Sequence, residues 1–198
     1  MNEHLDQLHA DLASLAPVLH GALQASNRGV ATQSAMYAGK GRHWLRSDIF
    51  RAELGGNLAE MRPGEWSLDD GERAHRGALL LRHGGGYIQA RIQRVETDGS
   101  LPEARSDMRR RFYRNTDIDD VDILNKVRHN LVFSFSEKVR EGVFGVRAIR
   151  PHVSPTKTYS IQMPFVAESF ASSKFEVANE DSFNELFGDD FAVGEGLG

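Results

Sequence analysis

The sequence predicts an α+β domain with a mainly antiparallel β-sheet and helices at the N-terminus, in the middle and near the C-terminus. Three observations support this fold class. Leucines at helical spacing open the chain, a glycine-rich hairpin occupies residues 76–95, and three apolar runs suited to strands lie between residues 131 and 165. Strands and helices do not alternate regularly, which favours an antiparallel over a parallel sheet.

The chain has 198 residues, of which 40% are hydrophobic and 26% charged, as expected of a folded domain with one core. We expect an N-terminal helical segment (1–26), an α+β core domain (27–165) and an acidic, phenylalanine-rich tail (166–198). Cysteine is absent, which excludes disulfides, thiolate metal sites and a cysteine nucleophile and is typical of a cytoplasmic protein. The acidic start and the lack of a long apolar run predict neither a signal peptide nor a membrane partner.

The first helix is predicted from a leucine stripe with spacings of 3, 4, 3 and 4 residues. Its members are Leu5, Leu8, Leu12, Leu15 and Leu19. Pro17 should kink or split this helix, with Ser14 as a possible N-cap. The stripe suits either a helix packed on the domain core or a homo-oligomer contact.

Residues 27–46 lack clear periodicity, so we expect a loop or irregular strand. A short helix should follow, which Ser47 caps and which Gly55 and Gly56 end or bend. The GKG at 39–41 is not a nucleotide-binding P-loop, because Lys40 is followed by glycine and not by serine or threonine.

The hairpin RGALLLRHGGGYIQARIQRV has two strand-compatible runs joined by three glycines. Because side chains alternate along a strand, one face of its second strand is apolar and the other polar. The apolar face comprises Ile88, Ala90 and Ile92, and the polar face comprises Tyr87, Gln89, Arg91 and Gln93.

A central helix is predicted from Thr116 to about His129 and Asn130, followed by an antiparallel meander of the runs at 131–136, 143–150 and 157–165. Aspartates at 117, 119, 120 and 122 suit the start of that helix because its dipole favours negative charge there. The histidines form no HxH or HExxH spacing. We therefore expect no metal, no cofactor and no catalytic residue.

The segment MRRRFYRN (108–115) combines guanidinium groups, which bind phosphate bidentately, with aromatic rings that can stack on bases. With the polar face of the hairpin it predicts a phosphate or nucleic-acid surface. The predicted set is Arg82, Tyr87, Arg91, Arg109, Arg110, Arg111, Tyr113 and Arg114. The alternative is a solvated edge whose arginines pair with nearby carboxylates.

The RRFYR at 110–114 resembles the RxxxR motif of PilZ domains, which bind cyclic diguanylate. The resemblance implies that Arg110 and Arg114 hold the dinucleotide phosphates. The second PilZ motif, (Asp/Asn)-x-Ser-x-x-Gly, does not follow at the family's spacing.

The tail has eight carboxylates and one basic residue over positions 161–198. Ser182 and Glu185 form a capping box for a short helix whose apolar side comprises Phe183, Leu186 and Phe187. This pattern predicts a docking peptide for a protein partner, or a C-terminal helix that folds onto the sheet.

The function favoured by these patterns is a non-enzymatic nucleic-acid-binding or regulatory accessory subunit with a partner-docking tail. The alternatives are an assembly subunit of phage or mobile-element type with solvated arginines, a PilZ-like dinucleotide sensor and, last, a metal-dependent nuclease.

Overall fold

The computed structural model describes the chain in eight ranges: 3–34, 43–61, 63–69, 79–94, 106–115, 129–138, 143–152 and 157–177. Residues 116–128 of the predicted central helix, with its aspartates, and the docking residues Phe183, Leu186 and Phe187 lie outside these ranges.

Within the described ranges the chain forms α-helices and one β-sheet. The helices are α1 (Glu3–Ala13), α2 (Leu15–Ser34), α3 (His43–Met61), α4 (Asp107–Tyr113) and α5 (Ala167–Ser172). The strands are β1 (Trp66–Leu68), β2 (Leu79–His83), β3 (Ile88–Arg94), β4 (His129–Lys138), β5 (Val143–Arg150), β6 (Tyr159–Gln162) and β7 (Glu176–Val177).

In the described part of the chain the sheet has seven strands, which follow one another in chain order, and neighbouring strands are antiparallel except for β3 and β4. The predicted α+β class, the hairpin and the meander are therefore confirmed. The parallel pair, in which Ile88 is opposite His129, was not predicted. A parallel pair needs a long crossover, and α4 lies in the connection from β3 to β4.

The main core lies between one face of the sheet and the N-terminal helices. Ile88, Ala90 and Ile92 point into it as predicted, together with Phe133 and Phe135 of β4. On the second face Val132 and Ile149 are also buried. There α4 places Tyr113 in contact with Gln93, so the sheet has helical structure on both sides.

The leucine stripe belongs to this core. Leu8, Leu12, Leu15 and Leu19 are fully buried, and Leu5 packs against them. The helix is split at Ser14, which leaves Pro17 in the first turn of α2, where its missing N–H costs little. The alternative of an oligomer contact through the stripe is corrected, because its surface is already covered by the chain's own sheet.

Truncating this stripe should destabilise the monomer. Leu12→Ala is expected to lower the free energy of unfolding by about 3 kcal/mol, since it leaves a cavity in a packed core. Leu5→Ala, at a partly buried position, should cost less. Urea denaturation measures both, and a change of oligomeric state without loss of stability in Leu12→Ala would contradict the assignment.

The region between the first helix and the hairpin differs from the prediction. Residues 27–34 continue α2, and Ser47, Gly55 and Gly56 lie inside α3 and neither cap nor end it. Close packing explains the tolerated glycine at position 55: a Cβ there would lie 3.3 Å from Leu79 Cδ2. Helix propensity was overruled by tertiary contact.

Two predicted boundaries, the end of the central helix and the end of the core domain, differ from those in the structure. His129 and Asn130 begin β4 and do not end a helix. The core continues beyond residue 165, because α5 buries Phe170 completely and β7 pairs with β6. Residues 166–177 therefore pack with the core domain.

None of the described helices has both the length and the apolar character needed to cross a membrane.

Candidate functional site: a cationic cavity

A cavity of about 370 Å³ lies between α3 and the carboxyl-terminal end of β3. It is lined by Ser47, Phe50, Arg51 and Leu54 of α3, Leu79 of β2, Arg91, Ile92, Gln93 and Arg94 of β3, Arg109 of α4 and Phe135 of β4.

The strand geometry explains why one stretch of sequence supplies so much of the wall. Ile92 belongs to the core face of β3, whereas Gln93 contacts α4 on the second face. Since the wall includes successive residues from Arg91 to Arg94, the cavity reaches around the end of the strand. Arg109 joins from the second side and Arg51 from the helical layer.

The charged side chains that the structure describes in this wall are all positive. Among its described residues, Arg51, Arg91, Arg94 and Arg109 are cationic, and none is a carboxylate or a histidine. Burial, and then the nearby positive charge of Arg109, lower the pKa of Arg91. An anion in the cavity would offset this repulsion, whereas a cation would increase it.

Arg109 is positioned by α4, which is capped at its start and is attached to the sheet just beyond its end. The Ser106 hydroxyl caps the helix by accepting from the backbone N–H of Arg109, at 3.3 Å. Beyond the other end, the Asn115 side-chain amide donates to the carbonyls of Asn130 and Pro151, at 3.0 and 2.6 Å. The short helix is thereby attached to strands β4 and β5.

Tyr113 supports the cavity from behind. Its side chain is 1% exposed, and its hydroxyl donates to Gln93 Oε1 at 3.4 Å. Burial raises the pKa of Tyr113, so the phenol stays neutral. Tyr113 is thus a buried support for Gln93, and its predicted role in stacking on a base is corrected.

Of the predicted site residues, only Arg91 and Arg109 line the cavity. Arg110 is exposed and lies 2.8 Å from Asp107, and Arg111 and Arg114 are exposed on and beyond α4. The two arginines named by the PilZ resemblance therefore lie outside the cavity.

The other two predicted residues lie elsewhere. Arg82 Nη2 lies 2.8 Å from Asp69 Oδ2, and the Tyr87 hydroxyl donates to Asp11 of α1. The prediction that Tyr87 lies on the polar face is wrong, because its ring packs against the main core.

Arg51 and Arg94 were missed. Arg51 lies in a helical stretch without a local signal for binding, and its spacing from Asp48 would suggest only an ion pair on the helix surface. The structure contains that exposed pair, with Arg51 Nη1 3.1 Å from Asp48 Oδ1. Arg94 could have been found as the residue that ends the hairpin strand. Arg94 also lines a second, much smaller recess beside the cavity, with Arg46, Phe50 and Phe135 among its other walls.

A second polar cluster, around His83, connects α1 to the far end of the sheet. Gly85 N–H donates to His83 Nδ1, and the other ring nitrogen, Nε2, lies 3.1 Å from Glu65 Oε2. Asp11 Oδ1 is 3.9 Å from the same nitrogen. Within the described ranges no three His, Cys, Asp or Glu side chains are arranged to hold a metal ion.

Next to this cluster, the fully buried Arg150 donates through Nε to His129 Nδ1 at 2.9 Å. Burial first, and then the charges of Arg150 and His4, lower the pKa of His129 to about 3. Burial lowers the pKa of Arg150 to about 10, so Arg150 remains charged at neutral pH and His129 is neutral. This pair is structural, whereas the cationic cavity has room for a ligand.

No family model, no curated protein and no solved structure matches the chain.

Proposed function

We propose that this protein is a non-enzymatic binding subunit that takes up a phosphorylated ligand in the cationic cavity. The observation that carries the proposal is the convergence of Arg51, Arg91, Arg94 and Arg109 on one concave wall. Guanidinium groups match the geometry of phosphate and keep their charge at any physiological pH.

The chemistry of the wall supports binding over catalysis. General acid–base catalysis needs a group that exchanges a proton near neutral pH, usually histidine or a carboxylate. The described cavity wall contains arginine, serine, glutamine and apolar side chains, which supply charge and hydrogen bonds. A ligand would be held there and recognised by its charge.

Nucleic acid is the second candidate ligand. The observation that favours it is that Arg110 and Arg111 are exposed on the same short helix as Arg109, and so extend the positive charge outside the cavity. A nucleic acid would then place one phosphate in the cavity and others along α4, and its binding would weaken steeply with salt. The protein partner proposed for the acidic tail is a separate expectation.

Calorimetry with pyrophosphate tests the proposal, and fluorescence anisotropy with labelled single- and double-stranded oligonucleotides tests the second candidate. We expect pyrophosphate to bind with one site per chain at low salt and to raise the unfolding temperature, since a ligand that binds only the folded state stabilises it. Binding of oligonucleotides but not of pyrophosphate would favour the second candidate. Absence of any anion binding at low salt would contradict both.

A further inference from the structure

Two aromatic rings, those of Phe50 and Phe135, line the cationic cavity. The Phe50 ring is stacked with that of Phe135, with centroids 5.5 Å apart and planes inclined by 27°. Phe144 lies at 6.5 Å from Phe50 and 6.1 Å from Phe135, so the three rings form one group. Phe135 and Phe144 are buried, and Phe50 is the partly exposed member.

The cavity therefore offers both positive charge and an aromatic surface. A simple anion would use only the positive charge. Phosphate alone needs only the arginines, whereas the partly exposed ring of Phe50 offers a surface on which a flat ligand can stack. Gln93 adds a polar side chain to the same wall. Its Oε1 accepts from Tyr113, and its amide N–H groups can hydrogen-bond the edge of a base.

Size limits what can enter. About 370 Å³ lies near the lower end of the roughly 300–1,000 Å³ found for ligand cavities. One nucleotide unit is a compact ligand with a flat aromatic part and a phosphate, whereas a longer polymer would have to leave the cavity after that unit.

We infer that the ligand of the cavity is a nucleotide unit, with its base against Phe50 and its phosphate held by Arg91 and Arg109. This inference rests on the proposed function and adds the class of phosphorylated ligand. It makes Phe50 the residue that distinguishes a nucleotide from other phosphates.

The test compares ligands that carry the same phosphate with and without a base. Calorimetry with adenosine monophosphate, uridine monophosphate and ribose 5-phosphate is expected to show the nucleotides binding about tenfold tighter or more, because stacking contributes only to them. Phe50→Leu should remove this preference, and Phe50→Tyr, which keeps the ring, should retain it. Arg91→Gln should weaken all three ligands by a similar factor.

Equal affinity for ribose 5-phosphate and the nucleotides would overturn this inference while leaving the proposed function intact. Retention of the preference in Phe50→Leu would overturn the assignment of the base to Phe50. If no ligand binds, pyrophosphate included, the inference and the proposed function fail together. Circular dichroism of each variant verifies its fold.

A short oligonucleotide with and without a 5′-phosphate identifies the source of the nucleotide unit. Tighter binding of the phosphorylated form than of adenosine monophosphate would assign the cavity to a nucleic-acid end. Tighter binding of the free nucleotide would assign it to a small-molecule ligand. Both results support a nucleotide unit, whereas weaker binding of adenosine monophosphate and of both oligonucleotides than of pyrophosphate would overturn it.

Discussion

Replacing Arg91 and Arg109 together by glutamate is expected to weaken anion binding by more than about 100-fold. Both guanidinium groups line the cavity, and a hydrogen bond to a charged group contributes about 1.5–3 kcal/mol. The double change removes two such donors and adds two negative charges beside the phosphate. Calorimetric titration with pyrophosphate measures the loss.

Two exposed arginines of α4, the helix that carries Arg109, provide a matched control for this double variant. Arg110→Glu with Arg111→Glu changes the net charge by the same amount, but both side chains are exposed and belong to no part of the cavity wall. This variant should bind pyrophosphate almost normally at physiological salt, because exposed charges are screened. Equal losses in the two double variants would contradict a localised site and would indicate a diffuse electrostatic surface.

The unfolding temperature of the Arg91→Gln variant gives a second measurement of the role of Arg91. Because burial and Arg109 both disfavour the charged form of Arg91, Arg91→Gln should leave the unligated protein as stable as the wild type or more stable. The same substitution should remove the stabilisation by pyrophosphate. A variant that unfolds earlier without ligand would show that Arg91 is part of the structural framework.

Acidification from pH 7 to pH 4 is expected to destabilise the fold by about 3 kcal/mol through His129 alone. Its pKa is about 3 in the folded chain, against 6.5 for an ordinary histidine, because of burial and the nearby charges of Arg150 and His4. The unfolded chain therefore takes up a proton as the pH falls through 6.5, while the folded chain does not until near pH 3. The stabilisation by neutral His129 is complete above pH 6.5 and is lost across this window.

Urea denaturation at several pH values measures this slope. His20 should add to it in the same direction, because burial lowers its pKa more than its bond to Met163 raises it. His129→Asn keeps an acceptor for Arg150 but has no proton to gain, so its stability should change less between pH 6.5 and pH 4. An unchanged slope in this variant would exclude His129 as the cause.

Local patterns in the sequence were sufficient for much of the fold. The leucine spacing, the break near Pro17 and the three glycines of the hairpin depend on contacts between near neighbours, and the structure confirms each of them. The errors occurred where tertiary packing overruled local preference. Gly55 lies inside α3 because the helix approaches Leu79 there, and no nearby residue indicates that contact.

Only part of the candidate site could be predicted from the sequence. The sequence by itself determined that arginines cluster at 109–111 and that Arg91 lies on the polar face of a strand. Only the tertiary structure selected Arg91 and Arg109, because the parallel pairing of β3 with β4 places α4 beside the end of β3. Arg51 comes from a different helix, and its place in the same cavity wall depends on how α3 packs against the sheet. Sequence patterns report neighbours along the chain, whereas this cavity is formed by residues far apart in sequence that the sheet brings together.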